Sequence, residues 1–146
     1  MQRLARVFSF RGRSTRLAYW RTTLSLIVLS AVVEGLVVFA TMASSVAGAV
    51  CAVLFAPLLV ANLAVAVRRL HDRGKSAWWL LVFGAGPSAL IGLARLMTLP
   101  IGAPSLVVLI GALVLTLAAV VLAIWAWIEF GFLRGQKGAN RFGAPV

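Results

Sequence analysis

The sequence predicts an all-α integral membrane protein, a bundle of four transmembrane helices. Hydrophobic residues make up 62% of the 146 residues and charged residues 12%, whereas soluble domains average about 45–50% and about 25%. The polar residues also gather into three segments that long apolar runs separate. A chain of this length is predicted to form one domain, residues 1–146, and it is too small to hide so much apolar surface from water.

Four apolar runs are long enough to cross the hydrocarbon core of a bilayer, which takes roughly 20 helical residues. They cover residues 24–42, 47–67, 77–99 and 105–128. Pro57 in the second run and the Gly-Ala-Gly-Pro sequence at 84–87 in the third predict bends, which membrane helices tolerate. The tail, residues 134–146, is basic and rich in glycine and shows no helical periodicity.

A short interfacial helix is predicted before the first run. Leu4, Val7 and Phe8 share one helical face, and the neighbouring arginines lie off it. Ser14 is predicted to cap the helix that follows. Aromatic residues at the ends of the runs are typical of the membrane interface. They are Tyr19, Trp20, Trp78, Trp79, Trp125 and Trp127.

The cations orient the four runs. Of the 14 Lys and Arg residues, all but Arg95 lie in the N-terminal segment, the central stretch 68–79 or the tail. By the positive-inside rule, both termini and the central stretch are cytosolic. A net charge of +11 would suggest nucleic acid in a soluble protein. Because these cations flank apolar runs, we predict no nucleic-acid partner.

Three charged residues lie in or near the apolar runs, where a charge costs about 2.5–3.5 kcal/mol on insertion scales. Glu34 and Arg95 both fall in the outer half, so a structural ion pair between them is expected, unless Arg95 reaches the outer interface alone. A proton or ion relay is the functional alternative. Glu129 is predicted to neutralise Arg21 or Arg68, which lie at a similar depth.

The central stretch holds the only histidine and the only aspartate of the chain, His71 and Asp72, among four cations. A carboxylate among arginines stays ionised and orients them. A lone histidine and the lone Cys51 offer no metal site and no nucleophile triad, so we predict neither metal nor cofactor.

The cations of this stretch suit an anion at the membrane surface, such as a lipid headgroup. The simpler interpretation is that they only fix topology. The candidate anion-binding residues are Arg13, Arg16, Arg68, Arg69, His71, Asp72, Arg73 and Lys75.

Residues 68–79 resemble the signature of a family of small bacterial inner-membrane proteins catalogued as Domain of Unknown Function 805. Residues 10–20 and the Gly-Ala-Asn-Arg-Phe-Gly sequence at 138–143 match it as well. The resemblance implies a multi-pass protein of the bacterial inner (cytoplasmic) membrane with no assigned biochemical role. The chain departs from the family at Ala18 and Ala139, where acids are frequent.

These departures leave Asp72 as the acid of the cytosolic loops that can organise Arg13, Arg16 and Arg141. A structural network is therefore predicted. Its members are Asp72, Asn140, Arg141, Glu129, Glu34 and Arg95.

The predicted function is non-enzymatic: the basic cytosolic face binds an anionic phospholipid headgroup or a partner protein. One alternative is a small oligomeric transporter or channel subunit that uses Glu34, Asn62 and Arg95. Another is a membrane enzyme that acts on a phosphorylated lipid with His71 and Asp72. The expected partners are the bilayer, an anionic phospholipid, and a second copy of the chain or another membrane protein.

Overall fold

The computed structural model describes residues 7–99 and 104–144. Within these ranges the chain is all-helical and has no β-strand, apart from one isolated bridge between Asn140 and Gly143. It divides into two compact units, one formed by the residues up to Lys75 and those from Arg134 onward, the other by Ser76–Leu133. The predicted interfacial helix falls mostly on residues 1–6, outside the described residues.

Helix α1 covers Arg16–Ala43 and begins with a side-chain cap from Thr15, whose oxygen accepts the Ala18 N–H at 3.1 Å. The prediction that Ser14 caps this helix was wrong. The Ser14 N–H donates to the Arg68 carbonyl at 3.1 Å, so Ser14 is fixed to the end of the neighbouring helix instead.

Helix α2 covers Ser45–Ala52, and Ser44 caps it by accepting the Ala47 N–H at 3.0 Å. Gly48 in α2 lies against Thr41 of α1. A Cβ at Gly48 would overlap the Thr41 hydroxyl, so the close approach of these two helices requires glycine here.

Helix α3 covers Phe55–Asp72 and follows α2 after a break at residues 53–54. Pro57 explains the position of this break. Proline has no N–H, and its ring collides with the carbonyl four residues earlier, which is that of Val53. The irregularity predicted at Pro57 therefore lies one turn before it.

The second unit contains a π-helical turn, Leu81–Ala85, then α4, Gly86–Met97, and α5, Leu106–Gly131. The irregularity predicted at residues 84–87 takes the form of this π turn just before Pro87. Such turns re-route backbone hydrogen bonds where a regular helix cannot continue.

An aromatic cluster packs around Phe83 in the second unit. Phe83 is buried. Its ring centroid lies 5.3 Å from that of Trp79, 5.5 Å from that of Trp125 and 5.8 Å from that of Phe130. These are normal distances for stacked and edge-to-face pairs.

Among residues 7–99 and 104–144, three helical segments are long and apolar enough to cross a membrane: Arg16–Ala43, Ser45–Asp72 (α2 and α3 together) and Leu106–Gly131. The segment Leu81–Met97 is apolar but shorter. These helices indicate a multi-pass membrane protein. The predicted membrane crossing by the third apolar run and the predicted cytosolic position of both termini remain predictions.

The charged residues of the apolar runs lie in both units. Glu34 belongs to α1, Arg95 to α4, and Glu129 is buried in the last turn of α5. The pairing of Glu34 with Arg95, and the neutralisation of Arg21 or Arg68 by Glu129, stay predictions.

Candidate functional site

Three segments far apart in sequence meet at one end of the first unit: the loop before α1, the last turn of α3 and the tail from Arg134. At their centre is the Asp72 cluster, which we define as Arg13, Arg69 and Asp72. All three residues are more than nine-tenths buried. Buried charges are costly unless they are paired and hydrogen-bonded, so the geometry of this cluster decides whether the end of the unit is stable.

Asp72 accepts from both arginines. Its Oδ1 lies 2.9 Å from both Nε and Nη2 of Arg13, and its Oδ2 accepts from Arg69 Nη1 at 2.6 Å. The Arg69 contact spans i to i+3 on α3, whereas Arg13 reaches Asp72 across 59 residues of sequence. One carboxylate therefore pairs with two guanidinium groups, and the Asp72 cluster has a net charge of one positive unit.

Arg13 also holds the tail. Its Nη1 donates to the Gly138 carbonyl at 2.7 Å, and its Nη2 donates to the Gln136 carbonyl. The Gln136 N–H in turn donates to the Asp72 carbonyl at 2.9 Å. The guanidinium thus joins the N-terminal segment, α3 and the tail, and it uses its donors to do so.

Two glycines make this close packing sterically feasible. A Cβ on Gly135 would overlap the Asp72 carboxylate, so only glycine fits beneath it. Gly74 has φ +73°, the left-handed conformation that commonly follows the end of a helix. A Cβ on Gly74 would also collide with the Gln136 side chain.

His71 connects the loop before α1 with the tail. Its Nδ1 lies 3.2 Å from the Gly12 carbonyl, which can only accept, so Nδ1 carries the proton. Its ring stacks on Phe142, with centroids 3.8 Å apart and planes 6° apart. The Arg141 guanidinium lies 4.7 Å from the Phe142 ring centroid. Through these contacts His71 joins the loop before α1 to the tail.

The Asn140 side chain binds three polar groups, two in the tail and one at the end of α3. Its amide nitrogen donates to the His71 carbonyl and to Gln136 Oε1, both at 2.9 Å, and its oxygen accepts the Phe142 N–H at 2.9 Å. A side chain with both donors and an acceptor is needed for this arrangement.

The remaining residues of the predicted anion site surround the cluster. Arg73 Nη1 donates to the Arg134 carbonyl at 2.6 Å, and Arg68 Nε donates to the Ala64 carbonyl at 3.3 Å. Lys75 is half-buried just after Gly74, and Arg16 is the first residue of α1.

A cavity of about 410 Å³, here called cavity A, opens beside the Asp72 cluster. Five cationic side chains and one carboxylate line it, so its interior is strongly positive. Its lining residues are Arg13, Thr15, Arg16, Arg69, Asp72, Arg134, Gly135, Gln136 and Lys137.

A second cavity of about 390 Å³, here called cavity B, shares Arg13 and Thr15 with cavity A. Three arginines and four hydroxyl side chains line it, and none of the described residues that line it is acidic. The lining residues are Ser9, Arg11, Arg13, Ser14, Thr15, Ala18, Thr22 and Arg68.

Asn62, from the transporter hypothesis, lies elsewhere. With Ser30 it lines a mostly apolar cavity of about 330 Å³ between α1 and α3. Residues 7–99 and 104–144 contain no group of three or more His, Cys, Asp or Glu side chains that could hold a metal ion.

Several lining residues of cavity A were not predicted from the sequence: Thr15, Arg134, Gly135, Gln136 and Lys137. The signal available for them was weak, because a glycine-rich basic tail is equally typical of a solvated terminus. The contacts of the tail with Asp72, Arg13 and Arg73 give it a defined position.

The comparisons with known proteins agree with the family resemblance. No curated protein and no solved structure matches the chain. The model of the family described as protein of unknown function (DUF805) matches residues 7–144, which include all the segments that form the Asp72 cluster. The chain therefore belongs to the DUF805 family.

Proposed function

We propose that this protein is a non-enzymatic, multi-pass protein of the bacterial inner membrane that binds the phosphate of an anionic phospholipid in cavity A, at the cytosolic surface. The observation that carries the proposal is the composition of cavity A, with five cations and a single carboxylate. Arginine and lysine in a concave site are the usual recognition elements for phosphate.

The Asp72 cluster supports this role by fixing the floor of the cavity. Arg13 and Arg69 are bound by Asp72 and by backbone carbonyls, so their positive charges are held in place. Fixed charges lower the ordering cost of binding. The direct contacts to phosphate would come from the rim, which is formed by Arg16, Arg134 and Lys137.

The position of cavity A along the helices favours a lipid ligand. It is lined by the first residue of α1 and by the last residue of α3, the ends of two segments long enough to cross a membrane. A headgroup phosphate lies at the level where such apolar helices end. Near an anionic bilayer each Lys or Arg contributes about 1 kcal/mol of attraction.

The contacts of His71 favour binding over catalysis. Its Nδ1 is bonded to the Gly12 carbonyl and its ring is covered by Phe142. Among the described residues that line cavity A there is no histidine. A general base for a phosphorylated substrate must lie within hydrogen-bond reach of the reacting group, and His71 is engaged elsewhere.

The experiment uses purified protein in detergent with short-chain phosphatidylglycerol, and phosphatidylcholine as the neutral lipid. Phosphatidylglycerol should bind and raise the melting temperature. The variant Arg134→Gln/Lys137→Gln removes two rim charges and should weaken this binding about tenfold or more, given about 1 kcal/mol per cation.

The matched control is Arg21→Gln/Arg95→Gln, which removes the same charge from residues that do not line cavity A. It should bind phosphatidylglycerol like the wild type. Equal affinity for the two lipids, or wild-type binding by Arg134→Gln/Lys137→Gln, would overturn the lipid proposal. The basic face would then suit an acidic segment of a partner protein.

A further inference from the structure

We infer that the lipid is one that carries two separate phosphate groups, with one phosphate in cavity A and the other in cavity B. This inference rests on the proposed function, because it names the lipid class of the same site. Its basis is the pairing of two cation-lined cavities of similar size, about 410 and 390 Å³, that share Arg13 and Thr15.

The shared wall between the cavities is held in place. Arg13 is 8% exposed and is bonded to Asp72, Gln136 and Gly138. Thr15 is the N-cap of α1, with its side-chain oxygen bonded to the Ala18 N–H. Because both residues are committed to the fold, the two cavities stay separate and adjacent.

Cavity B has its own means of binding an anion. Arg11 and Arg68 supply cations that cavity A does not use, and Ser9 and Thr22 supply hydroxyl groups. No carboxylate from the described residues lines this cavity, and Asp72, which pairs with Arg13, lines cavity A. Guanidinium and hydroxyl groups together are typical donors to phosphate.

Because the two cavities are separate, they favour a ligand whose two phosphates lie apart. A diphosphate has two phosphorus atoms that share one oxygen, so both would occupy the same cavity. A lipid with one phosphate would fill one cavity and leave the guanidinium and hydroxyl donors of the other without a bound phosphate. Two phosphates on one bridging glycerol can occupy both cavities, and once the first is bound the second binds at high effective concentration.

The test compares tetraoleoyl cardiolipin, which has two phosphates, with dioleoyl phosphatidylglycerol at equal phosphate concentration, both with purified full-length protein. Native mass spectrometry gives stoichiometry and affinity. The wild type should bind one cardiolipin at least tenfold more tightly than phosphatidylglycerol. Equal affinities would overturn the inference and leave the proposed function standing, whereas failure of both lipids to bind would remove both.

The variants assign each phosphate to a cavity. Arg11→Gln/Arg68→Gln should lower the affinity for cardiolipin to that for phosphatidylglycerol and leave phosphatidylglycerol binding within twofold. Arg134→Gln/Lys137→Gln should weaken the binding of both lipids. If Arg11→Gln/Arg68→Gln proves less stable than the wild type, Arg11→Gln alone should still reduce the preference for cardiolipin. An unchanged preference in a folded variant would contradict the role of cavity B.

Two competitors distinguish a lipid with two separate phosphates from a lipid diphosphate and from a soluble bisphosphate. Farnesyl diphosphate should compete less well than cardiolipin, and tighter binding by it would overturn the assignment of separate phosphates. Glycerol 1,3-bisphosphate carries the same two groups without acyl chains and should compete at least tenfold less well. Equal competition by this soluble compound would show recognition of free bisphosphate and overturn the lipid assignment.

Discussion

The Asp72 carboxylate lies so close to Gly135 that a Cβ at residue 135 would overlap it. The next residue of the tail, Gln136, donates its N–H to the Asp72 carbonyl at 2.9 Å. The backbone of Asp72 therefore binds the tail, and its side chain binds both Arg13 and Arg69. Asp72 thus holds in place the two buried arginines that form the floor of cavity A with it.

The variant Gly135→Ala should displace the tail from α3. The added methyl group has no space beside the buried carboxylate, and overpacking of this kind costs about 1–3 kcal/mol. We expect a lower free energy of unfolding in detergent and faster proteolysis between residues 131 and 140. Gly138→Ala is the matched control, because a Cβ there has nothing within 4 Å. Equal effects of the two substitutions would contradict the packing described for Gly135.

The sequence was informative about regular features of the chain. Apolar run length predicted the long helices, since the bilayer sets that length physically. Proline and glycine predicted irregularities at Pro57 and at residues 84–87, because the missing N–H of proline acts locally. The cap of α1 was misplaced by one residue, since Ser14 and Thr15 are both good caps and only the contact of Ser14 with Arg68 distinguishes them.

The cluster was harder to predict. Helical spacing within the central stretch relates Arg69 and Asp72. The contact of Asp72 with Arg13, 59 residues away, was expected from the family resemblance and the scarcity of acids, because no local pattern shows it. The tail was expected to join the network through Asn140 and Arg141, but its contacts with Arg13 were not predicted. Its carbonyls accept from Arg13, and backbone acceptors have no sequence signature.

The variant Asp72→Asn should be strongly destabilising. It leaves two buried guanidinium groups without their counter-charge, and breaking a buried ion pair costs about 3–5 kcal/mol. The measurement is a double-mutant cycle with Arg13→Gln, followed by unfolding in detergent. Because the second substitution removes one of the stranded charges, the double variant should lose less stability than the sum of the single variants. Additive losses would mean that Arg13 and Asp72 are not coupled.

The substitutions His71→Phe and His71→Ala separate a structural role from a role in ligand binding. Phenylalanine keeps the stack on Phe142 and loses only the bond to Gly12, so we expect a loss of about 1 kcal/mol in unfolding free energy. Alanine loses both contacts and should cost about 2 kcal/mol or more. Phosphatidylglycerol affinity should be unchanged in His71→Phe. A loss of binding at full stability would place His71 in the ligand site.

The predicted orientation can be tested with single cysteines, because the native chain has only Cys51. In a Cys51→Ser background, Gly138→Cys reports on the tail and Ser45→Cys on the start of α2, at the opposite end of α1. Both positions are exposed. The positive-inside rule predicts that residue 138 is cytosolic and that residue 45 faces outward.

In intact spheroplasts, a membrane-impermeant maleimide should therefore label Ser45→Cys and leave Gly138→Cys unlabelled, whereas a permeant maleimide should label both. Lysed membranes provide the control for reactivity, since both cysteines should then react with either reagent. The reverse pattern would place cavity A on the outer face of the membrane. The anionic cytoplasmic leaflet could then not be the source of its lipid, and the proposed location of the site would be wrong.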